Sequence, residues 1–257
     1  MLLVIDVGNT NIVLGAFDGP KLAHHWRIST TSRTTDEMGL FLLQLIEHHG
    51  VRREQLTGAV ISNVVPSQLY TIEKAVRRYL GLEALVVGKG MKTGMRVRTD
   101  NPREVGADRI VNAVAAVEEH AAPLLVVDFG TATTFDCVST EGDYVGGAIA
   151  PGLRISADAL FERTAMLPRV ELERPPKAIG TNTVRSMQSG LFWGYVGLVD
   201  GLARRCKEEL GGTPRCIATG GLANLVGRAC VEIDEVDEHL TLKGLRLLWE
   251  RNRATKG

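Results

Sequence analysis

A short pattern that occurs twice places the strongest constraint on how this chain can fold. Near the start, an apolar run ends in the sequence DVGNTN at residues 6–11, and about half a chain later a similar run ends in DFGTATT at residues 128–134. Each copy predicts a strand, a tight turn and a second strand, because Asp and Gly are frequent turn residues. A single copy would be an ordinary hairpin, whereas recurrence at long spacing indicates a duplicated unit.

The residue types in these two turns are suited to bind phosphate. A glycine lets backbone amides approach an anion closely, and Asn and Thr side chains add hydrogen-bond donors. An acid at the end of a strand, here Asp6 or Asp128, can hold a cation that neutralises phosphate charge. Two such turns facing each other would hold a nucleoside triphosphate.

The apolar periodicity predicts the same order of elements in both halves of the chain. Strands are predicted at Leu2–Val7, Ile12–Phe17, Leu22–Ile28, Gly58–Asn63, Leu85–Val87, Leu124–Phe129, Thr133–Val138, Tyr144–Ala150, Cys216–Ala218 and Val231–Ile233. Helices are predicted over residues 35–49, 66–80, 105–119, 153–163, 184–210 and 239–253, with a short helix after residue 221 and a loop over 164–183.

This order of elements predicts an α/β fold made of two similar halves, residues 1–115 and residues 116–257. Each half would contain a mixed five-stranded sheet flanked by helices. We expect a nucleotide to lie in the cleft between the halves, since ligands often bind between domains.

Composition and charge exclude several classes of function. The 257 residues carry 30 basic and 30 acidic side chains, and this balance disfavours a sequence-independent nucleic-acid binder. The four cysteines form no C-x-x-C pair, which argues against a zinc or redox motif and favours reduced thiols in a cytoplasmic protein. Neither a signal peptide nor an apolar run long enough for a membrane helix is evident. We therefore expect a cytoplasmic protein with no membrane or nucleic-acid partner.

The predicted helix over residues 184–210 carries glycines on one face. Gly190, Gly194, Gly197 and Gly201 are spaced four, three and four residues apart. A smooth glycine face lets another backbone approach closely, and the spacing is equally compatible with packing on the domain's own sheet and with packing on another subunit.

One acidic residue between the two turns has two possible roles. Asp108 lies in the first turn of a predicted helix, just after Pro102 and Gly106. It could be a helix-start acid, which the helix dipole favours, with Arg109 as a solvated partner. It could also be a general base, since Arg109 and the helix N-terminus both favour the ionised carboxylate. We expect a carboxylate at neutral pH that can accept a hydroxyl proton.

A set of short motifs runs in order along nearly the whole chain: residues 6–11, 61–66, 100–102, 106–109, 128–132, 146–152, 180–183 and 219–221. Together they resemble the type III pantothenate kinases, a family of the acetate kinase–sugar kinase–heat-shock protein–actin superfamily. The resemblance implies duplicated ribonuclease H-like (actin-like ATPase) domains. It also implies that ATP phosphorylates pantothenate to 4′-phosphopantothenate, the first step of coenzyme A biosynthesis.

The resemblance also assigns roles to individual residues. Asp108 would be the catalytic base, and Asp128 would bind the monovalent cation, K⁺ or NH₄⁺, that the family requires beside Mg²⁺. A homodimer is implied, in which Thr183 contacts pantothenate bound to the other subunit. The remaining substrate-binding residues would be Gly106, Ala107, Asp108 and Arg109, and the ATP-binding residues would be Asp6, Val7, Gly8, Asn9, Thr10, Asn11, Ile12, Val13, Thr131, Gly220 and Gly221. Thr99 stands where the family often has Tyr before Asp-Asn-Pro, so an aromatic contact to the substrate is not expected here.

Two other functions remain open at this point. The first is another kinase of the same superfamily, although the Cys/His zinc cluster of many sugar kinases is absent from the sequence. The second is an accessory regulator of transcription related to the same family. The intact acids Asp6, Asp108 and Asp128 disfavour such a non-catalytic copy. A P-loop kinase is not supported, since no G-x-x-x-x-G-K-[ST] motif occurs.

Overall fold

The computed structural model describes residues 1–88 and 90–253. The strands in chain order are β1 (Leu2–Val7), β2 (Asn11–Asp18), β3 (Lys21–Ser29), β4 (Gly58–Asn63), β5 (Ala84–Val86), β6 (Leu124–Phe129), β7 (Ala132–Val138), β8 (Tyr144–Pro151), β9 (Arg215–Thr219) and β10 (Glu235–Val236). The α-helices are α1 (Thr35–His48), α2 (Pro66–Ala75), α3 (Ala107–Glu119), α4 (Leu153–Glu162), α5 (Thr183–Leu210), α6 (Ala223–Val226) and α7 (Leu240–Arg253). Within these described ranges, no helix combines the length and the apolar character needed to cross a membrane.

The chain forms two compact units. Unit 1 contains residues 1–94, residues 104–115 and the chain from Thr241, and unit 2 contains residues 95–103 and 116–240. Helix α7 therefore belongs to the first unit although it ends the described chain. The division at residue 115 and the nucleotide position between the halves stay predictions.

Each unit is built on a mixed five-stranded sheet, as the sequence predicts. In unit 1 the strand order is β3-β2-β1-β4-β5, and in unit 2 it is β8-β7-β6-β9-β10 when read in the same sense. In both sheets the first three strands pair antiparallel, and the last two add in parallel beside the first. The identical connectivity confirms the duplicated α/β architecture.

The acid-bearing strands β1 and β6 occupy the centre of their sheets. Both show the same burial along the strand: five of the six residues are buried, and the acid is half-buried. Fully buried strands of this kind read as continuous apolar runs, because both faces of the sheet are covered. Burial of the two central strands fixes the position of each acid at the end of a rigid element.

The two faces of the unit 1 sheet pack against different helices. Leu3, Ile5 and Val7 face a core that contains Met38 and Leu42 of α1. On the other face a Cβ on Gly58 would clash with Trp249 of α7. Successive strand residues point to opposite faces, so Asp6 shares the α7 face with Val4.

Helix α3 lies against α7 in unit 1. A Cβ on Gly244 would clash with the carbonyl oxygen of Val111, and Thr241 Oγ1 donates to Oδ1 of Asn112 at 2.7 Å. These contacts place α3, and hence its first turn, on the side of the unit 1 sheet that carries Asp6.

One predicted strand is wrong. Residues 231–233 are irregular, and the last strand of unit 2 is β10, which starts at Glu235. Val231 is 80% exposed, and the backbone N–H of Glu232 donates to Asp200 Oδ1 at 3.0 Å instead of to a neighbouring strand. The apolar pair Val231 and Ile233 gave a strand signal, but β10 has only two residues and its pairing with β9 depends on contacts that are distant in sequence.

Candidate active site

The first predicted turn is held in a fixed conformation at the end of β1. The backbone N–H of Gly8 donates to the carbonyl of Asn11 at 3.0 Å. Thr30 secures the other side: its Oγ1 donates to the carbonyl of Gly8 at 2.7 Å and its backbone N–H to the carbonyl of Thr10 at 2.9 Å. Asn9 and Thr10 are exposed at the tip. The turn thus presents two polar side chains and Asp6 at one end of a buried strand.

Two polar residues that had no predicted role lie beside this turn. Strand β4 runs parallel to β1, with Ser62 opposite Asp6 and Asn63 opposite Val7. Among the described residues, Ser62 Oγ and Asn63 Oδ1 are buried without a hydrogen-bond partner. Polar atoms in this state are uncommon in folded proteins. The motif at residues 61–66 contained both, but strand pairing was needed to place Ser62 next to Asp6 and Asn63 next to Val7.

The second predicted turn has a similar design in unit 2. The backbone N–H of Gly130 donates to the carbonyl of Ala132 at 3.1 Å, and the N–H of Gly152 donates to the carbonyl of Thr131 at 3.1 Å. A Cβ on Gly152 would clash with that same Thr131 carbonyl. Gly152 therefore allows the chain after β8 to lie directly on the turn.

Gly220 lies directly against Asp128. Strand β9 runs parallel to β6 with Thr219 opposite Asp128. Gly220 follows with φ +93°, and a Cβ there would clash with Oδ1 of Asp128 and crowd the backbone of Phe129. Unit 2 thus brings together three of the predicted site residues, Asp128, Thr131 and Gly220, while Gly221 is exposed beside them.

Asp108 is the second residue of α3, in the first turn as predicted. Its Oδ1 accepts a hydrogen bond from the backbone N–H of Arg109 at 2.9 Å. A Cβ on Gly106 would lie 2.6 Å from that oxygen, so a larger residue there would push the carboxylate out of this position.

The electrostatic balance at Asp108 differs from the expectation. Burial raises the pKa of the Asp108 carboxyl above its ordinary value, and the backbone hydrogen bond and charge of Arg109 only partly offset the rise. Arg109 acts in the expected direction, but desolvation is the larger effect, and it depends on packing that a local sequence pattern does not reveal. The result is a carboxyl group with more affinity for a proton than an exposed Asp.

Thr183 lies in a different part of unit 2 from Asp128. It is exposed as the first residue of α5, where the Asn182 side chain caps the helix by accepting from the N–H of Arg185 at 2.9 Å. Thr183 lines a cavity of about 620 Å³ between α4 and α5 whose other lining residues are Leu160, Leu167, Ser186, Met187, Gly190 and Leu191.

The glycine face of α5 is open to solvent. Gly190, Gly194 and Gly197 are exposed, and a Cβ on any of them would meet nothing within 4 Å. Of the two packing modes that the spacing allowed, packing on the domain's own sheet is therefore excluded for these three positions.

The segment with Thr99 is held to the edge of the unit 2 sheet. Val97 forms a parallel bridge with Tyr144, and Arg98 forms an ion pair of 2.7 Å with Asp143. Within the described residues, Thr99 Oγ1 is buried without a hydrogen-bond partner.

Comparison with known proteins shows which family has this set of features. The family model described as type III pantothenate kinase matches residues 2–205. A type III pantothenate kinase from Anaeromyxobacter sp. (strain Fw109-5) is 58% identical over 98% of this chain and 100% of its own length. Another, from Myxococcus xanthus (strain DK1622), is 55% identical over 99% of this chain and 100% of its own length.

The fold also matches solved structures at low sequence identity. A Campylobacter jejuni protein described as a Baf family transcriptional activator superimposes with a TM-score of 0.61 and 16% identity, covering 98% of this chain and 99% of its own. At that identity the likeness concerns the fold alone. The family match spans residues 2–205, and the two relatives match at 55–58% identity over nearly the whole chain, so the chain belongs to the type III pantothenate kinase family.

Proposed function

We propose that this protein transfers the γ-phosphoryl group of ATP to the primary hydroxyl of pantothenate, which yields 4′-phosphopantothenate and ADP as the first step of coenzyme A biosynthesis. The observation that carries the proposal is the similarity to type III pantothenate kinases over 98% of the chain. The position of Asp108 in the first turn of α3, with its carboxylate against Gly106, supports it independently.

Phosphate binding is assigned to the two turns. The first turn, Asp6 to Val13, would contribute backbone N–H groups and the exposed side chains of Asn9 and Thr10. Thr131 would be the ATP contact in the second turn. Gly220 and Gly221 would lie near the adenosine. Glycines at these places let the backbone approach an anion or a ring without a side chain between them.

Asp108 is assigned as the general base. One of its carboxylate oxygens accepts the proton of the pantothenate hydroxyl while the hydroxyl oxygen forms a bond to the γ-phosphorus. The bond from that phosphorus to the bridging oxygen breaks, and its electron pair leaves with ADP. A carboxyl pKa raised by burial favours proton transfer, because an effective base has a pKa near the working pH. Gly106, Ala107 and Arg109 would position pantothenate beside Asp108.

Two cations accompany this chemistry in the proposal. Mg²⁺ would neutralise phosphate charge when it is bound with ATP. The carboxylate of Asp6, half-buried near the end of β1, fits it, since hard cations prefer oxygen ligands and keep bound water. Asp128 is assigned to the monovalent cation, K⁺ or NH₄⁺. A Cβ on Gly220 would fill the space beside Oδ1 of Asp128. Because Gly220 has no side chain, that space is compatible with a bound ion.

A homodimer is proposed in which Thr183 of one subunit contacts pantothenate bound to the other. Exposed glycines on α5 are one support. Exposed apolar side chains are another: Met166 is 91% exposed, Ile179 is 83% exposed, and both lie in the segment that leads into α5. Apolar surface of this kind often marks a protein interface.

The cytoplasm is the proposed location. All four cysteines are free, and Cys137, Cys216 and Cys230 are buried. Free thiols fit a reducing compartment.

The direct test measures formation of 4′-phosphopantothenate with ATP and Mg²⁺, with and without K⁺. We expect turnover that depends on pantothenate and increases with K⁺. The same preparation is applied to duplex DNA in a filter-binding assay, which tests a role in transcription. Absence of turnover together with saturable DNA binding at physiological salt would replace the kinase proposal with the regulatory one.

A further inference from the structure

Ser62 pairs with the acid of the first turn in the same way as a second hydroxyl residue pairs with the acid of the second turn. In unit 1, Ser62 is opposite Asp6 on parallel strands, and in unit 2, Thr219 is opposite Asp128. Ser62 is 0% exposed and Thr219 is 1% exposed. Each acid of the duplicated pattern thus has a buried hydroxyl as its parallel neighbour.

The hydroxyl of Ser62 differs from most buried hydroxyls because its Oγ has no hydrogen-bond partner among the described residues. Leaving a buried donor unpaired costs folding free energy. If the Ser62 side chain only filled space, alanine at this position would make the protein more stable. The hydroxyl is therefore explained if it binds a group from outside the chain. Paired residues on parallel strands point to the same face, and the candidate partner is therefore whatever Asp6 helps to hold.

We propose that Ser62 is a nucleotide-binding residue: its hydroxyl either donates a hydrogen bond to a phosphate oxygen of the nucleotide at Asp6 or accepts one from a water bound to the Mg²⁺ ion. A phosphate oxygen carries negative charge and accepts hydrogen bonds, whereas a water bound to Mg²⁺ directs its oxygen lone pair at the ion and donates its O–H. This inference rests on the proposed function, since it assigns a further residue to the same phosphate site.

The alternative is that Ser62 Oγ hydrogen-bonds to a buried water molecule. In that case the hydroxyl has only a structural role. The two interpretations predict different results for Ser62→Ala. A structural hydroxyl stabilises the protein without ligand, whereas a ligand-binding hydroxyl stabilises only the complex.

The experiment compares wild type, Ser62→Ala and the control Ser189→Ala. The Ser189 hydroxyl is also buried, but it donates to the carbonyl of Ala178. For each protein the Tm without ligand is measured, and the Kd values of ADP with Mg²⁺ and of ADP with EDTA are measured by calorimetry. Steady-state rates give the KM for pantothenate.

We expect Ser62→Ala to keep or raise the Tm without ligand and to weaken Mg²⁺–ADP binding about tenfold, the loss typical of one hydrogen bond to a charged group. The KM for pantothenate should stay within about twofold of wild type. Ser189→Ala should lower the Tm and leave the nucleotide Kd unchanged. Equal loss for ADP with EDTA identifies a phosphate oxygen as the acceptor, and loss only with Mg²⁺ identifies a water bound to the ion.

Two results overturn the inference while the proposed function stands: Ser62→Ala binds Mg²⁺–ADP as wild type does, or it loses Tm and binds nucleotide and pantothenate equally poorly. If wild type itself does not bind Mg²⁺–ADP, the phosphate site and the inference both fail.

Discussion

At the scale of single residues, Asp108 shows how burial and a local helix signal act together. The first turn of α3 and Arg109 favour the charged carboxylate, but burial raises the pKa of the group overall. Gly106 has no side chain and leaves the space that Oδ1 of Asp108 occupies. Such a group is suited to accept a proton and to release it after each turnover.

Replacing Asp108 by Asn should remove the proton acceptor without disturbing the fold. We expect kcat for pantothenate phosphorylation to fall about 10²–10⁴-fold, the usual cost of losing a general base. The control is Glu104→Gln, which removes an exposed carboxylate from the same segment and should change kcat by less than about twofold. A wild-type rate in Asp108→Asn would show that another group accepts the proton.

The raised pKa of Asp108 also predicts how stability depends on pH. An acid whose pKa is higher in the folded state than in the unfolded state has its full stabilising contribution below the unfolded pKa, about 4, and loses it as pH rises through the folded pKa. Asp108→Asn has no such loss. The Tm of the variant minus that of wild type should therefore increase between pH 4 and pH 7, measured without ligand in one mixed buffer. A constant difference over this range would mean that the carboxyl is not desolvated.

At the scale of elements, the site depends on turns whose backbone leaves no room for side chains. Gly220 follows β9 with φ +93° and approaches both Asp128 and the backbone of Phe129. Gly152 lies on the carbonyl of Thr131 in the same way. These close approaches bring the ends of β6, β8 and β9 to one place in unit 2.

Gly220→Ala should therefore damage the site as well as the stability. Positive φ costs an alanine about 1–2 kcal/mol, and the methyl group would also displace the Asp128 carboxylate. We expect a lower Tm, a KM for ATP raised at least fivefold and reduced activation by K⁺. Gly81→Ala is the matched control: φ is +70° there, and a Cβ meets nothing within 4 Å, so it should lower Tm alone. Unchanged kinetics in Gly220→Ala would show that Asp128 does not bind the cation.

Most elements could be predicted from the sequence because their signals are local. Apolar periodicity and the turn residues placed β1, β2, β6 and β7 within one or two residues, and Pro66 marks the start of α2 as expected. The strand predicted at Val231–Ile233 was wrong, because Val231, which favours strands by residue type, is exposed in an irregular segment. A two-residue strand such as β10 has no pattern of its own.

At the scale of the whole molecule, duplication is present in topology and in burial but not in every residue. The two sheets share strand order, and their central strands share a burial pattern. Helix α5 of unit 2 has an exposed glycine face. Helices α1 and α2 of unit 1 differ from it, since they bury their apolar residues against the sheet.

The proposed homodimer predicts a specific effect of filling this face. Gly194→Arg should fold, because a Cβ there meets nothing within 4 Å, but the long charged side chain should prevent close approach of a second subunit. We expect the mass measured by light scattering to fall from dimer to monomer, and activity to fall with it because Thr183 would no longer reach the partner's site. Glu208→Gln, with the same change of charge at another exposed position of α5, should remain dimeric and active. A dimeric Gly194→Arg would place the interface elsewhere.

The sequence by itself determined the duplicated strand-turn-strand units, the sheet class and the family, since these depend on local backbone preferences and on motifs in a fixed order. Only the tertiary structure decided that α7 joins unit 1 and covers the sheet face of Asp6. It also decided that Ser62 lies beside Asp6 and that burial raises the pKa of Asp108. The physical reason is that desolvation and neighbours across strands arise from packing between segments far apart in the chain, which no local pattern encodes.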